Sequence, residues 1–260
     1  MTNAPVTFVT GGSGGLGKSS AARALAQALG LSGCRTVLVD GNPGQQSQRA
    51  FLQIDRGIGL ERAELLGLSH ALLMPRQTGT AFAFLPGPVQ AQADTITDLY
   101  GSALVALRQS CDSIIVDADR IDRTMWQDTS QFAGGVIRPF IEHGAARILF
   151  RIGQTGSQLD DGLDALHEIN KPEQILAVSP VSTHLKARKN KEWRQLLQGL
   201  AQWGGTDEWT EQSARMIDQR QPGWKHGNEP PWLQHAAIWA GAKPDSFSTQ
   251  RRNHWPWTRQ

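Results

Sequence analysis

"VTFVTGGSGGLGKSSAARALAQALGLSGCRTVLVD" (residues 6–40) is the stretch on which the fold turns. Its first five residues are β-branched or aromatic and read as a buried strand. Five closely spaced glycines follow, then a helical pattern over 17–33. Ala21, Leu25, Ala28 and Leu29 share one helix face, and Gly33 marks the stop. "RTVLVD" (35–40) is a second buried strand. A strand, a helix of this length and another strand predict a right-handed parallel βαβ unit.

Farther out, "AFAFLPG" (81–87), "DSIIVDAD" (112–119), "ARILFRIG" (146–153) and "QILAVSP" (174–180) read as further strands. Helical patterns lie at 95–110, 123–142, 157–169 and 184–202. This alternation predicts an α/β fold, a doubly wound, mostly parallel sheet with helices on both faces. No internal repeat is present. Composition changes near residue 204. Six of the nine tryptophans, at 209, 224, 232, 239, 255 and 257, come after it, among many prolines. The expectation is one α/β domain over 1–204. A Trp/Pro-rich extension over 205–260 would then pack on the core or hang partly loose.

Hydrophobic residues make up 39% of the chain and charged residues 19%, which supplies a sizeable core and excludes wholesale disorder. The net charge of +2 names no partner, so any nucleic-acid role must rest on local clusters. Cys34 and Cys111 have no metal-ligand spacing and read as reduced thiols. The start "MTNAPVTFVTGG" has no basic signal-peptide region, and no apolar run approaches the ~20 residues of a membrane span. A soluble, cytoplasmic protein with no transmembrane span is expected.

Gly12 through Ser19 satisfy GxxxxGK[ST] between a predicted strand and a predicted helix, the setting a phosphate loop requires. Glycines let backbone N–H groups turn inward around phosphate oxygens, and the helix N-terminus adds its dipole. Lys18 would reach the β- and γ-phosphates, and the Ser19 hydroxyl would hold Mg²⁺. The plainer alternative is a flexible glycine turn. Mg²⁺ needs further hard oxygen ligands. Asp117, ending "SIIVD", fits that role directly or through water. Asp40 ends "TVLVD", beside the loop in the expected sheet order. For both, the alternative is a strand-end aspartate that caps the next helix.

Three stretches together resemble the ParA/MinD family of deviant Walker ATPases. "SGGLGKSS" (13–20) is similar to its KGGxGK[ST][ST] loop, "VLVDGNPGQQ" (37–46) to its VDxDPQ strand, and "SIIVDAD" (113–119) to its Walker B strand. The resemblance runs from about residue 6 to 200. Within Gly12, Ser13, Gly14, Gly15, Leu16, Gly17, Lys18, Ser19 and Ser20, it implies an ATP phosphate cradle. It implies that Asp40 helps position the attacking water and that Asp117 supports Mg²⁺. It also implies slow ATP hydrolysis to ADP and phosphate, and a homodimer formed around two ATP molecules that holds DNA or membrane and moves a cargo. There are departures. Ser13 stands where the family's signature lysine reaches across the dimer. Asn42 replaces the second aspartate of VDxDPQ, although Pro43 is kept. "ADRIDRTMW" (118–126) lacks the usual proline pair.

"HLKARKNKEWR" (184–194) carries Lys186, Arg188, Lys189, Lys191 and Arg194 with one acid, Glu192. At helical spacing Lys186, Lys189 and Arg194 fall near one side. Such a stripe suits nonspecific DNA, or is a solvated helix face. "RRNHWPWTR" (251–259) suits a membrane interface, single-stranded stacking, or a tail whose indoles pack on the core. Pro256 argues against an amphipathic targeting helix there. The function expected is a ParA-like ATPase that positions a plasmid or other cargo on nonspecific DNA, stimulated by an adaptor or cargo protein. That would make it nucleoid-associated. Alternatives are a conjugal-transfer ATPase of the same fold, a phosphate-loop small-molecule kinase, and a non-hydrolysing nucleotide-dependent scaffold.

Overall fold

The computed structural model describes residues 3–42, 44–55, 57–89 and 95–247. Seven strands form one sheet: β1 (Val6–Gly11), β2 (Thr36–Gly41), β3 (Ala83–Leu85), β4 (Ser113–Arg120), β5 (Ala146–Arg151), β6 (Ile175–Val181) and β7 (Gln202–Glu208). Their order is β3-β2-β4-β1-β5-β6-β7, and each neighbouring pair is parallel. Parallel strands need long crossovers, and helices supply them. α1 (Lys18–Leu31) joins β1 to β2. Four short helices precede β3: α2 (Ser47–Leu52), α3 (Glu61–Leu66), α4 (Leu68–Ala71) and α5 (Pro75–Thr78). α6 (Ile96–Leu107) leads into β4. α7 (Arg123–Gln127), a π-helical turn (Ala133–Ile137) and α8 (Arg138–Glu142) lead into β5. α9 (Gly156–Ile169) and α10 (Asn190–Leu196) precede β6 and β7, and α11 (Glu211–Asp218) and α12 (Pro231–Trp239) follow.

The alternation along each strand fills two cores. Val6, Phe8, Val37, Val39, Ile114, Val116, Ile148 and Phe150 point to one face, against Leu104, Ile141, Leu166 and Trp193. Val9, Leu38, Ile115, Leu149 and Leu176 point to the other, against Leu25 and Leu29 of α1 and Trp232, Leu233 and Ala236 of α12. Each fully buried large apolar side chain stabilises the fold by about 1.5–3 kcal/mol. This two-faced burial is the doubly wound arrangement expected from the sequence.

Three details differ from expectation. A boundary at residue 204 falls inside β7, which pairs with β6 from Leu176↔Gln202 to Val181↔Glu208. The described part of the extension thus completes the sheet, and α12 covers its second face. Gly204 and Gly205 hid the strand. They lie where the β6–β7 register shifts, Gly205 has φ +123°, and a Cβ on Gly204 would come within 2.9 Å of Leu176 and Val178. Second, the helix expected over 184–202 is only α10. Third, the helix expected over 123–142 breaks after Gln127, where Asp128 turns extended, and a Cβ on Gly134 or Gly135 would meet the Asp128 or Thr129 carbonyl at 2.3 or 2.2 Å. No helix among the described residues is long and apolar enough to cross a membrane. The Arg251–Arg259 stretch, with Trp255 and Trp257, lies outside the described residues.

Candidate functional site

The phosphate loop leaves the C-terminal end of β1 and enters α1. Gly15 (φ 72°) and Gly17 (φ 68°) hold left-handed backbone that a side chain would strain. Gly12 is fixed for another reason: a Cβ there would lie 2.5 Å from the Asp161 carbonyl of α9. Gly14 has open space around it, so the loop is packed behind and clear in front. Lys18 Nζ crosses the loop and donates to the Ser13 carbonyl at 2.9 Å. Burial lowers the Lys18 pKa, opposed by Asp119 and Asp117. Ser20 is exposed and lines a cleft with Arg23 and Trp209.

Ser13 does not face outward. It is buried, and its Oγ donates to Asp161 Oδ2 at 2.7 Å. The hydroxyl therefore clips the loop to α9. Behind the loop, the buried Leu16 gives its carbonyl to Arg151 Nε at 3.1 Å.

The two carboxylates stand opposite each other, Asp40↔Asp117, on the neighbouring strands β2 and β4. Because β4 lies between β2 and β1, Asp117 rather than Asp40 is next to the loop. Asp117 is buried and accepts from Gln48 Nε2 at 2.8 Å and Ser47 Oγ at 3.3 Å, with a further hydrogen bond from the Ser19 side chain. Burial raises its pKa, countered by those donors and by Arg23. Asp40 is 0% exposed. Its Oδ2 accepts from the Arg49 amide at 3.3 Å, and the Asn42 amide also donates to the carboxylate. Burial, and then the neighbouring Asp117, push its pKa up to about 7. Asp40 is as buried as Asp117 and stands one strand farther from the loop.

Gln48 was missed in the sequence, as was Arg23. Gln48 Nε2 donates to both the Ser19 carbonyl, at 2.7 Å, and Asp117, while Arg23 Nη1 donates to Gln48 Oε1 at 2.8 Å. Arg23 in turn lies 3.4 Å over the Phe51 ring, and burial lowers its pKa to about 10. An arginine on the alanine-rich face of α1, four residues after Ser19, was the available signal.

The fit to a nucleotide can be judged from these contacts. Left-handed glycines, an open front and Lys18 across the loop suit phosphate. Among the described residues no cluster of three or more His, Cys, Asp or Glu could hold a metal ion. A divalent ion here would have Ser19 and Asp117 from the protein and would take its other oxygens from phosphate and water.

The 184–194 cations do not form a helical stripe. Lys186 and Arg188 precede α10, Lys189 caps it, and Lys191 and Arg194 lie within it. The chain is held extended by Gln154, which donates to the Lys186 carbonyl and accepts from the Arg188 amide. Arg188 is committed to the Gln154 carbonyl (3.1 Å), Glu192 (3.8 Å) and the Trp193 ring (5.7 Å). Lys186, Lys189, Lys191 and Arg194 are exposed.

Residues 7–192 match the profile of the CobQ/CobB/MinD/ParA nucleotide binding domain. No curated protein matches the chain. Among solved structures it is similar to a ParA family ATPase from Chlorobium tepidum TLS, with TM-score 0.64, 14% identity, and coverage of 92% of this chain and 98% of that one. It is also similar to the septum site-determining protein MinD with Mg-ADP from Pyrococcus horikoshii OT3, with TM-score 0.63, 16% identity, and coverage of 91% and 94%. A plasmid partition protein from Borrelia burgdorferi aligns with TM-score 0.57, 15% identity, and coverage of 85% and 96%.

Proposed function

The chain belongs to the CobQ/CobB/MinD/ParA nucleotide-binding family, and we propose that it works as a ParA-like ATPase that binds ATP with Mg²⁺, pairs into a nucleotide-dependent homodimer and positions a plasmid or other cargo on nonspecific DNA. The observation that carries the reading is that Ser19, opening α1 beside Lys18, meets Asp117 of the strand next to β1, around an open glycine loop. ATP with Mg²⁺ would supply the transferable γ-phosphoryl group and the divalent charge. Loop N–H groups and Lys18 would hold the phosphates. Ser19 and Asp117 would hold the ion, Asp117 giving up part of its hold on Ser47 and Gln48. Asp40, opposite Asp117 on the neighbouring strand, would help position the attacking water. Ser13, occupied with Asp161, makes no contact across a dimer, so pairing depends on other groups or on a bound partner. The exposed Lys186, Lys189, Lys191 and Arg194 are the cations offered to DNA phosphates.

A second reading has one observation in its favour. A cleft of about 660 Å³ adjoins Gly12, lined by Arg120, Arg123, Asp161 and His167 among others. That is room for a small phosphoryl acceptor. ATP turnover measured with and without duplex DNA separates the readings. A partition ATPase responds to DNA, and a small-molecule kinase does not. Tight ATP binding with no turnover, even with DNA and a cargo partner, would leave a nucleotide-dependent scaffold. Lys18→Ala tests the common premise: wild-type ATP affinity in that variant overturns all three.

A further inference from the structure

Arg151 ends β5 and is 1% exposed. A buried guanidinium is strongly unfavourable unless its donors are used. Here they converge on one place. Nε donates to the Leu16 carbonyl at 3.1 Å, and Nη2 to Asp207 Oδ2 at 2.6 Å. The guanidinium lies 5.3 Å from the Trp232 ring centre, and Nη1 has no partner. A Cβ built on Gly17 would lie 3.7 Å from Nη2. The cation therefore sits directly behind the loop whose front is open.

A phosphate loop works only if its N–H groups face the ligand, which turns its carbonyls away. A charge-assisted bond to the Leu16 carbonyl fixes that orientation. A buried positive charge on the far side also acts on phosphate oxygens through a low-dielectric interior. Fastening the sheet alone would not require the Leu16 contact, since Arg151 already reaches past β6 to Asp207 on β7.

We propose that Arg151 is a positioning residue for nucleotide binding. It holds the loop from behind and sets a buried cation beneath the phosphates. It is itself held by Asp207 and Trp232, both beyond the matched family residues 7–192. The C-terminal segment thereby becomes part of the nucleotide site. This inference rests on the reading of the loop as an ATP site.

The test is calorimetric titration of the full chain with AMP, Mg-ADP and Mg-AMPPNP, for wild type, Lys18→Ala, Arg151→Met, Arg151→Lys and Asp207→Asn. Arg151→Met should bind Mg-AMPPNP at least about tenfold more weakly, the loss expected for one charge-assisted contact. The loss should shrink for Mg-ADP and be least for AMP. Arg151→Lys, which keeps the charge but cannot bond Leu16 and Asp207 together, should recover part of it. Should Arg151→Met fail to fold by circular dichroism, Asp207→Asn carries the same graded test with a smaller loss. Wild-type affinities in Arg151→Met or in Asp207→Asn, or an equal loss for all three nucleotides, would overturn the inference while leaving the ATP site standing if Lys18→Ala loses binding. Wild-type binding by Lys18→Ala would overturn the ATP reading itself, and this inference with it.

Discussion

Asp40→Asn should make the protein more stable at pH 8 and flatten the dependence of its stability on pH. The Asp40 carboxyl is fully buried, and burial and then Asp117 push its pKa up to about 7, against an ordinary value of 3.8. The folded state therefore holds a proton that the unfolded state has already lost between about pH 4 and 7. Bound protons are then more numerous in the folded chain, so stability falls as pH rises through that window. The contribution is fully present below the unfolded value and is lost by the time pH passes about 7. A displacement of about three pH units corresponds to a ceiling of about 4 kcal/mol. Asparagine keeps an acceptor for the Arg49 amide but carries no charge to desolvate. Urea unfolding at pH 5 and pH 8, without nucleotide, measures the effect. Wild type should lose stability between the two, and Asp40→Asn should lose much less, with a residual slope from Asp117, whose pKa is also raised. A slope in Asp40→Asn equal to that of wild type would refute the assignment of the buried charge to Asp40. The same variant should bind nucleotide and lose turnover. Turnover at the wild-type rate would make Asp40 a structural carboxyl only.

Ser13→Ala should cost about 1–2 kcal/mol in thermal or urea unfolding, since it removes the clip to Asp161. Ser13→Lys alone should not strengthen ATP-dependent pairing in light scattering, because Asp161 competes for the ammonium. Ser13→Lys with Asp161→Asn should strengthen it, and failure of the double variant would show that the position is silent. Trp232→Ala should destabilise by about 3–5 kcal/mol through the cavity left between α1, α12 and the sheet. A change under about 1 kcal/mol would mean that α12 is not part of the cooperative fold. Replacing Lys186, Lys189, Lys191 and Arg194 together with alanine should weaken duplex binding and flatten its salt dependence. An unchanged salt slope in a filter-binding assay would assign those cations to solvent.

What could be read in the sequence was local. The run from Val6 to Asp40 carries its own strand, turn, helix and strand chemistry, and Asp117 follows the apolar run Ile114–Val116 of a strand that continues to Arg120. The contacts that complete the site are long-range. Ser13 meets Asp161 across 148 residues, Gln48 meets Asp117 across 69 and Arg151 meets Asp207 across 56. None of these pairs has a spacing that periodicity could detect. β7 was lost for a related reason: its glycines answer to Leu176, Val178 and Trp232, and so look like a linker until their neighbours are in place. The cationic stretch failed the other way. Its spacing is helical, but Gln154 holds the backbone ahead of α10 and overrides local propensity.

The same logic bears on Ser13. Read along the chain, a serine in place of a lysine is a loss of charge at the mouth of the loop. Read in the fold, it is an exchange of partners. The hydroxyl belongs to α9, Lys18 crosses the loop, and a further cation, Arg151, stands behind it. A cation in front can reach only a ligand or a second chain that comes to it. A cation behind acts on whatever the loop holds, whether or not a partner is present. The arrangement therefore favours nucleotide binding by the single chain and leaves pairing to other surfaces. Mg-AMPPNP affinity that is independent of protein concentration is the expected result. Affinity that rises steeply with protein concentration would place the missing charge on the partner after all.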